Sequence, residues 1–453
     1  MEELALDIWR GGRWQKAAHL RVRHPERGAA GPIELVYTDE YVEDVFEREG
    51  MKDVGGHEAV SCSAPVGFVA AQWDHWPAWL DDLRPGGAAY RWWVHELGIA
   101  NESDGVRDWL TLKHGTIAPV GNVRLHRPAA VLPSPRLPIA SLIEQERIFL
   151  EIAREHGATV GGATGAHGDA RKFLVRRSAA NQIWIDNEQS HNSPDRYYLV
   201  KFARGKRRAT DQDILRAEYC FYRALQAVGF DTVPVDGLEL HESRDPQTGP
   251  SLWMPRFDVI SPANGDVVRH GVESWYALCD QPAGSVLPFF TVLRRILDVV
   301  QPGNPTELVA EIIVRDMANV LLGNSDNHGR NSAVLRTVNG NLLAPMYDVA
   351  PMRVDEEVIV RQTRWRTRDG THPDFETGGE FNWLGIIGHA VTAFGLAEQG
   401  DDGLLTLVRQ KCLQLADLPA QAIMREIPDA VRRHPLMRLD SIPERLREWG
   451  LIP

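Results

Sequence analysis

The spacing of apolar residues divides the chain into elements before any chemistry is considered. Two runs rich in aromatic and β-branched residues, KFLVRR at Lys172 to Arg177 and YYLVKF at Tyr197 to Phe202, have the composition of strands. The polar segment between them reads as a loop, so the pair is expected to form a hairpin. Thr210 opens T-x-x-D with Asp213, and Ile214, Glu218, Phe221, Leu225 and Val228 then share one helical face until Gly229 ends the helix. Glu218 is a carboxylate set within that apolar stripe. Upstream, Ser141 and Glu144 have capping-box spacing, and Leu142, Ile148, Leu150 and Ile152 predict a helix running to Gly157. From about Pro262 onward the pattern is mostly helical, with Glu307 to Leu322, Gly403 to Leu415 and Pro419 to Arg432 the clearer stretches.

The first part of the chain, Leu4 to about Leu125, mixes short strand-like runs with helical pieces and carries eight of the fourteen tryptophans, including Trp73, Trp76, Trp79, Trp92, Trp93 and Trp109. Rings clustered this way read first as core or interface filler, with a ligand platform as the alternative. Between Arg127 and Ala140 four prolines, at 128, 133, 135 and 138, fix φ and remove donors, so regular structure should stop there. The expected organisation is an accessory domain over 1–126, a Pro-rich linker over 127–140, an N-lobe over 141–258 and a helical C-lobe over 259–453.

Composition narrows the functional classes. Hydrophobic residues make up 43% and charged residues 25% of the 453, an ordinary globular balance without a low-complexity tract. The four cysteines, Cys62, Cys220, Cys279 and Cys412, are far apart and offer neither a CxxC metal clip nor a compact disulfide framework, which fits a reducing cytoplasm. No charged-then-apolar leader opens the chain and no apolar run approaches the roughly 18 residues of a membrane span, so neither secretion nor membrane insertion is expected. A formal charge of −12 opposes tight non-specific binding to nucleic acid by this chain alone. Any contact with DNA is expected to come through a basic partner.

Four groups together have the parts that phosphoryl transfer requires: a backbone cradle for phosphates, a cation, oxygen ligands for Mg²⁺ and an aspartate that orients the attacking hydroxyl. The glycine-rich run Gly161-Gly162-Ala163-Thr164-Gly165-Ala166-His167-Gly168 is the candidate cradle, because missing side chains let successive N–H groups approach an anion. By itself the run is a weak signal and reads more readily as a mere loop between helix and strand. Lys201 shares a strand face with Leu199 and is the candidate cation. Glu218, on the next helix, is its candidate partner, a solvated residue at the margin of the stripe being the alternative. The most specific pattern is Gly323-Asn324-Ser325-Asp326-Asn327-His328-Gly329-Arg330-Asn331, followed by Asp348 in Ala344-Pro345-Met346-Tyr347-Asp348-Val349. Asp326 and Asn331 have the D-x₄-N spacing that places a base aspartate and a Mg²⁺-binding amide at the two ends of a kinase catalytic loop, with a later aspartate as the second metal ligand. An Asx-rich turn is the alternative. These groups outline an α+β, two-lobed, kinase-like body with an added N-terminal domain.

The runs DNHGRNSAVL and LLAPMYDVAPM, with YLVKF and AEYCFYRALQAVGFDTVP, resemble the HipA family of serine/threonine kinase toxins, and LDDLRPGG and GTIAPVGNVRL resemble that family's accessory domain. The resemblance implies that Asp326 is the catalytic aspartate, that Asn331 and Asp348 hold Mg²⁺, that Lys201 contacts ATP phosphates, and that His328 and Tyr347 line the nucleotide. It places Gly162, Thr164, Gly165, Ala166 and His167 in the phosphate loop. Met254-Pro255-Arg256-Phe257-Asp258 is similar to the interlobe connection, so the backbone at Met254, Arg256 and Phe257 would hold adenine, although Pro255 stands where an acidic residue is usual and lacks an N–H. Family members switch themselves off by phosphorylating a serine of the glycine loop. Here Gly162 takes that place, and Thr164 is the hydroxyl left for autophosphorylation.

Further implications are a small helix-turn-helix antitoxin of the HipB type as partner, DNA contact only through it, and a protein substrate from translation such as an aminoacyl-tRNA synthetase. The basic run Arg204, Lys206, Arg207, Arg208 is either a dock for an acidic substrate or tRNA or a solvated face. Two other readings stay open: a catalytically weak kinase-like corepressor, and a small-molecule phosphotransferase with the same aspartate-asparagine spacing.

Overall fold

A computed structural model describes residues 1–49, 55–116, 120–126, 135–144, 171–186, 195–262, 266–367, 375–397 and 400–453. The chain forms two compact units, each assembled from separated segments. The first comprises Met1–Arg204, His241–Ala283 and Ala333–Ala344, and the second Gly205–Leu240, Gly284–Ser332 and Pro345–Pro453.

In the first unit, strands β1 (Glu2–Arg10), β2 (Arg13–Val22), β3 (Ile33–Tyr37), β4 (Ala71–Trp73) and β5 (Val123–Leu125) form an antiparallel sheet in the order β4-β3-β2-β1-β5. Alternation along β1 and β2 turns Leu6, Ile8, Ala18 and Leu20 into a core that also takes in Trp76, Trp79 and Trp109. Trp76 and Trp109 meet edge to face at 6.5 Å. These tryptophans are therefore packing residues.

A second sheet contains β6 (Leu137–Pro138), β7 (Lys172–Arg177), β8 (Gln182–Ile185), β9 (Arg196–Phe202), β10 (Glu239–His241) and β11 (Ser251–Pro255), in the order β10-β11-β9-β7-β8-β6. The two strands read from the sequence do pair antiparallel, Lys172 opposite Lys201 and Arg177 opposite Arg196. The segment between them is not simply a loop, because Gln182–Ile185 adds a strand on the far side of β7. Phe173, Val175, Ile183, Ile185, Tyr198, Val200, Phe202 and Trp253 fill one face.

Arginine-carboxylate pairs bind this sheet to its surroundings. Arg176 reaches Asp195 at 2.8 Å, Arg256 reaches Asp186 at 2.7 Å and Asp258 at 2.5 Å, and Arg269 reaches Asp186 at 2.7 Å, all buried. The Arg269 guanidinium also stacks on Trp9, Trp14 and Tyr197, while Gly121 N–H donates to Asp258 Oδ2 at 2.7 Å. The N-terminal sheet and the second sheet are thus joined by desolvated charge rather than by apolar packing alone.

The second unit is mainly helical. Its longest helices are Ala209–Ala227 and Pro305–Leu321, with Phe289–Val300, Trp383–Phe394 and Leu404–Ala416 beside them in sequence. Three details differ from the sequence reading. Helix Ala209–Ala227 is capped by Asp211, whose carboxylate accepts Arg208 N–H at 2.8 Å, while Asp213 pairs with Arg216 at 2.7 Å. The helix at Ser141 begins two residues earlier, at Ile139, and Glu144 accepts from Ser243 Oγ and Arg244 N–H instead of closing a capping box; its continuation to Gly157 lies outside the described residues. Pro419 to Arg432 is two 3₁₀ turns and a single helical turn, because Pro428 cannot supply the N–H that a continuous helix needs there. No helix among the described residues is long and apolar enough to cross a membrane.

Candidate active site

Helix Pro305–Leu321 starts on Asn304, whose side chain accepts Glu307 N–H at 3.2 Å, and stops at Gly323, where φ is +72°. A β-carbon on Gly323 would lie 2.5 Å from Met437 Sδ, the end of a flexible side chain that can shift, so it is the positive φ that requires glycine. The chain then enters the loop that holds Asp326 and Asn331.

Every backbone polar group flanking the Asp326 side chain is tied within this unit. Asp326 N–H donates to Asn324 Oδ1 at 3.1 Å, and Asp326 O accepts Asn331 Nδ2–H at 2.7 Å. Asn331 N–H in turn donates to His328 O at 2.9 Å. The carboxylate is left differently. Among the described residues no donor comes within hydrogen-bond distance of it; His328 Nε2 stands 3.6 Å from Oδ1, and the side chain is 26% exposed. His328 Nδ1 accepts Arg330 N–H at 3.2 Å, which assigns the ring proton to Nε2, facing Asp326.

Asp348 reaches the same region by a separate route. A parallel bridge between Thr232 and Met346 anchors the chain, with Met346 N–H donating to Asp231 O at 2.9 Å and Val233 N–H to Met346 O at 3.1 Å. Tyr347 OH then donates to Arg330 O at 2.8 Å. Asp348 adopts φ +56°, a left-handed conformation that aspartate tolerates better than most residues, and its carbonyl accepts Asn324 Nδ2–H at 3.1 Å. Asn324 therefore bridges the segment of Asp326 to that of Asp348, and its amide also donates to Asn319 Oδ1 at 2.9 Å. Its role was not read from the sequence, since an asparagine in an Asx-rich loop carries no periodic signal.

Asn331 suits an oxygen-seeking cation. Its Nδ2 is spent on Asp326 O, which leaves Oδ1 as the acceptor end of the amide, and Mg²⁺ is commonly held by one or two carboxylates together with substrate phosphates and water. Among the described residues no cluster of three or more His, Cys, Asp or Glu side chains could hold a metal by itself.

Glu218 is fully buried, and its carboxylate accepts Tyr222 OH at 2.8 Å. The same hydroxyl accepts Val349 N–H at 3.4 Å, beside Asp348. Burial, with the Glu218 and Asp348 carboxylates added, pushes the Tyr222 phenol well above its usual range and keeps it a donor. Arg208, in the basic run, pairs with Asp211 and Glu356.

The remaining predicted residues belong to the first unit. Lys201 lies on β9, an interior strand, between Lys172 and Leu252, and is 9% exposed. Met254 is opposite Leu199 on β11. Arg256 donates its N–H to Tyr197 O at 2.9 Å and its guanidinium to Asp186 and Asp258, so neither group is open to a ligand; Phe257 is half-buried. Gly162, Thr164, Gly165, Ala166 and His167 lie outside the described residues.

An α+β kinase-like fold carrying an aspartate-asparagine loop and a following left-handed aspartate defines a class that the comparisons make specific. Residues 158–398 match the model of the HipA-like C-terminal domain, more than half of the sequence, and the chain belongs to that family. A curated relative, "Putative kinase Y4mE" of Sinorhizobium fredii, is 26% identical over 226 residues, 46% of this chain and 46% of that protein. The match thus spans about half of that relative's length. Among solved structures, a chain of the Shewanella oneidensis MR-1 toxin-antitoxin complex of HipA, HipB and operator DNA aligns over 98% of this chain and 97% of its own, with a TM-score of 0.64 at 15% identity. At that identity the likeness establishes a shared fold.

Proposed function

We propose that this chain is an ATP- and Mg²⁺-dependent serine/threonine protein kinase acting as the toxin of a type II toxin-antitoxin pair. The observation that carries the reading is the contrast at Asp326: its backbone N–H and C=O are pinned by Asn324 and Asn331, while no described donor lies within hydrogen-bond distance of its carboxylate, which only His328 Nε2 faces, at 3.6 Å. A base that must receive the proton of a substrate hydroxyl is built this way, fixed in direction and open at its oxygens. As the hydroxyl oxygen bonds to the γ-phosphorus, the bond to the β,γ-bridging oxygen breaks, ADP leaves and the proton passes to Asp326.

Asn331 and Asp348 would hold Mg²⁺, which neutralises charge on the phosphates when bound. In this reading Lys201 contacts the ATP phosphates with Glu218 as its partner, and the loop of Gly162, Thr164, Gly165, Ala166 and His167 cradles them. His328 and Tyr347 line the nucleotide, and the backbone at Met254 and Phe257 faces adenine. Thr164 is the candidate for autophosphorylation. The regulatory partner is a small helix-turn-helix protein that carries the DNA contact, and the substrate is a protein of translation such as an aminoacyl-tRNA synthetase, in the cytoplasm.

The test is transfer of labelled γ-phosphate from Mg·ATP into a lysate of cells lacking this protein. Wild type should label one band, and Asp326→Asn should lose at least about 10²-fold in rate, the range a positioned base supplies. Equal labelling by the variant would remove Asp326 from the reaction. ATP binding without any labelled protein would favour the corepressor or the small-molecule phosphotransferase.

A further inference from the structure

Helix Pro305–Leu321 carries one buried carboxylate on its apolar side, Asp316, 2% exposed. Three other residues converge on it. Oδ1 accepts Asn327 Nδ2–H at 2.6 Å and Arg361 Nη2–H at 2.9 Å, while Oδ2 accepts Arg361 Nη2–H at 2.8 Å and Trp365 Nε1–H at 2.7 Å. Asn327 directly follows Asp326, and its carbonyl accepts the N–H groups of Gln362 and Thr363 at 3.1 and 3.2 Å. Glu376 completes the group, 3.2 Å from Arg361 Nε and accepting Trp365 N–H at 3.4 Å.

Asn327 is consequently gripped from two sides, its amide by the helix and its carbonyl by the segment 361–365. A buried carboxylate costs several kcal/mol in lost hydration, and well-packed apolar residues commonly replace buried ion pairs at no loss of stability. Helix packing alone does not call for Asp316. What the carboxylate adds is direction, because it fixes the residue next to the proposed base to two elements outside the loop.

We infer that Asp316 is a positioning residue for phosphoryl transfer, setting the catalytic loop and the segment 361–365 as one piece so that Asp326 presents its carboxylate in a single orientation. This rests on the kinase reading above. Asp316 has no described contact with Asn331 or Asp348, so its loss should act on the chemical step rather than on nucleotide binding. Displacement of a reacting group by about 1 Å is enough to cost on the order of 10²-fold in rate.

The experiment uses the full chain as Asp316→Asn, which keeps the shape and removes the charge, and Asn327→Ala, which releases the loop without altering a buried charge. Three quantities are measured: kcat and KM for ATP, the folded fraction, and hydrogen exchange at the amides of Gln362 and Thr363. Each variant should lower kcat by about 10- to 100-fold per folded molecule, leave KM for ATP within about twofold, and speed exchange at both amides. The double variant should lose little more than either single one. Wild-type kcat per folded molecule, or additive losses, would overturn the assignment. If wild type transfers no phosphate, the kinase reading fails on its own. The exchange measurement then still decides the positioning role, since unchanged protection of Gln362 and Thr363 in Asp316→Asn would refute it.

Discussion

The site depends on asparagines that touch no reacting atom. Asn324 is 3% exposed and spends its side chain on three partners: Asn319, the carbonyl of Asp348 and the N–H of Asp326. Asn324→Ala would leave buried polar groups without their partner, at a cost of about 1–3 kcal/mol. Because it also frees the segments of the proposed base and metal ligand at once, kcat should fall by at least about tenfold. A urea melt together with steady-state transfer checks both. An equal loss of stability with unaltered kcat would show that Asn324 supports the fold alone. Asp326, Asn331 and Asp348, the proposed base and metal ligands, stand out in the sequence because the chemistry proposed for them requires a spacing. Asn324 and Asn327 could not, since an amide that bonds to backbone has no spacing requirement visible along a chain. Asp316 did leave a trace, a carboxylate in the apolar run Glu311 to Leu322, the same kind of interruption that marks Glu218.

At the level of elements, helix periodicity located Ala209–Ala227 and Pro305–Leu321 well, since each buries a long stripe. Their ends were less legible: Thr210 and Asp213 have the spacing of a cap, but Asp211 makes the bond. Strand Gln182–Ile185 was hidden by its four-residue length between polar neighbours. The short 3₁₀ turns after Leu418 carry apolar residues at helical spacing without being a helix, so the pattern alone misled there. Gly323 gives a direct test of an element boundary. Gly323→Ala places a β-carbon at positive φ and against the fully buried Met437, and should destabilise the chain by at least about 1 kcal/mol. Thermal unfolding would show it, and an unchanged melting temperature would mean that the helix ends by some other means.

For the whole molecule, buried charge sets a dependence on acid. Burial alone would raise Asp186 and Asp258, but the guanidiniums of Arg269 and Arg256 beside Asp186, and of Arg256 beside Asp258, outweigh it and hold both below the usual aspartate range. Burial, and then the charge of His57, depresses His270. All three bind protons more readily when unfolded, so each contributes stability above its unfolded pKa that is lost as pH falls through the folded value. The first unit should therefore weaken first below about pH 6.5, where an unfolded histidine titrates, and again below about pH 4, where unfolded aspartates do. Melting temperatures from pH 8 to 3 should show two declines, and His270→Gln should remove the upper one. Neither stage was visible in the sequence, where Asp186, Arg256 and Arg269 are far apart and only the fold brings them together.

The way the two units interrupt each other bears on how the protein is made. The chain passes between them five times, and the first unit is complete only when Ala333–Ala344 has been added. A ribosome that has delivered the first 300 residues has finished neither unit: strand Gly271–Ser274 still lacks Ala333–Thr337, with which it pairs antiparallel, and its edge stays open until that strand emerges. Truncation at any one of these crossings would yield fragments lacking part of a core, so expression of either unit as a single contiguous stretch should give aggregated material. Late completion also means that the loop bearing Asp326 acquires its partners Asp348 and 361–365 only in the last third of synthesis, and an unfinished chain would lack the assembled candidate site.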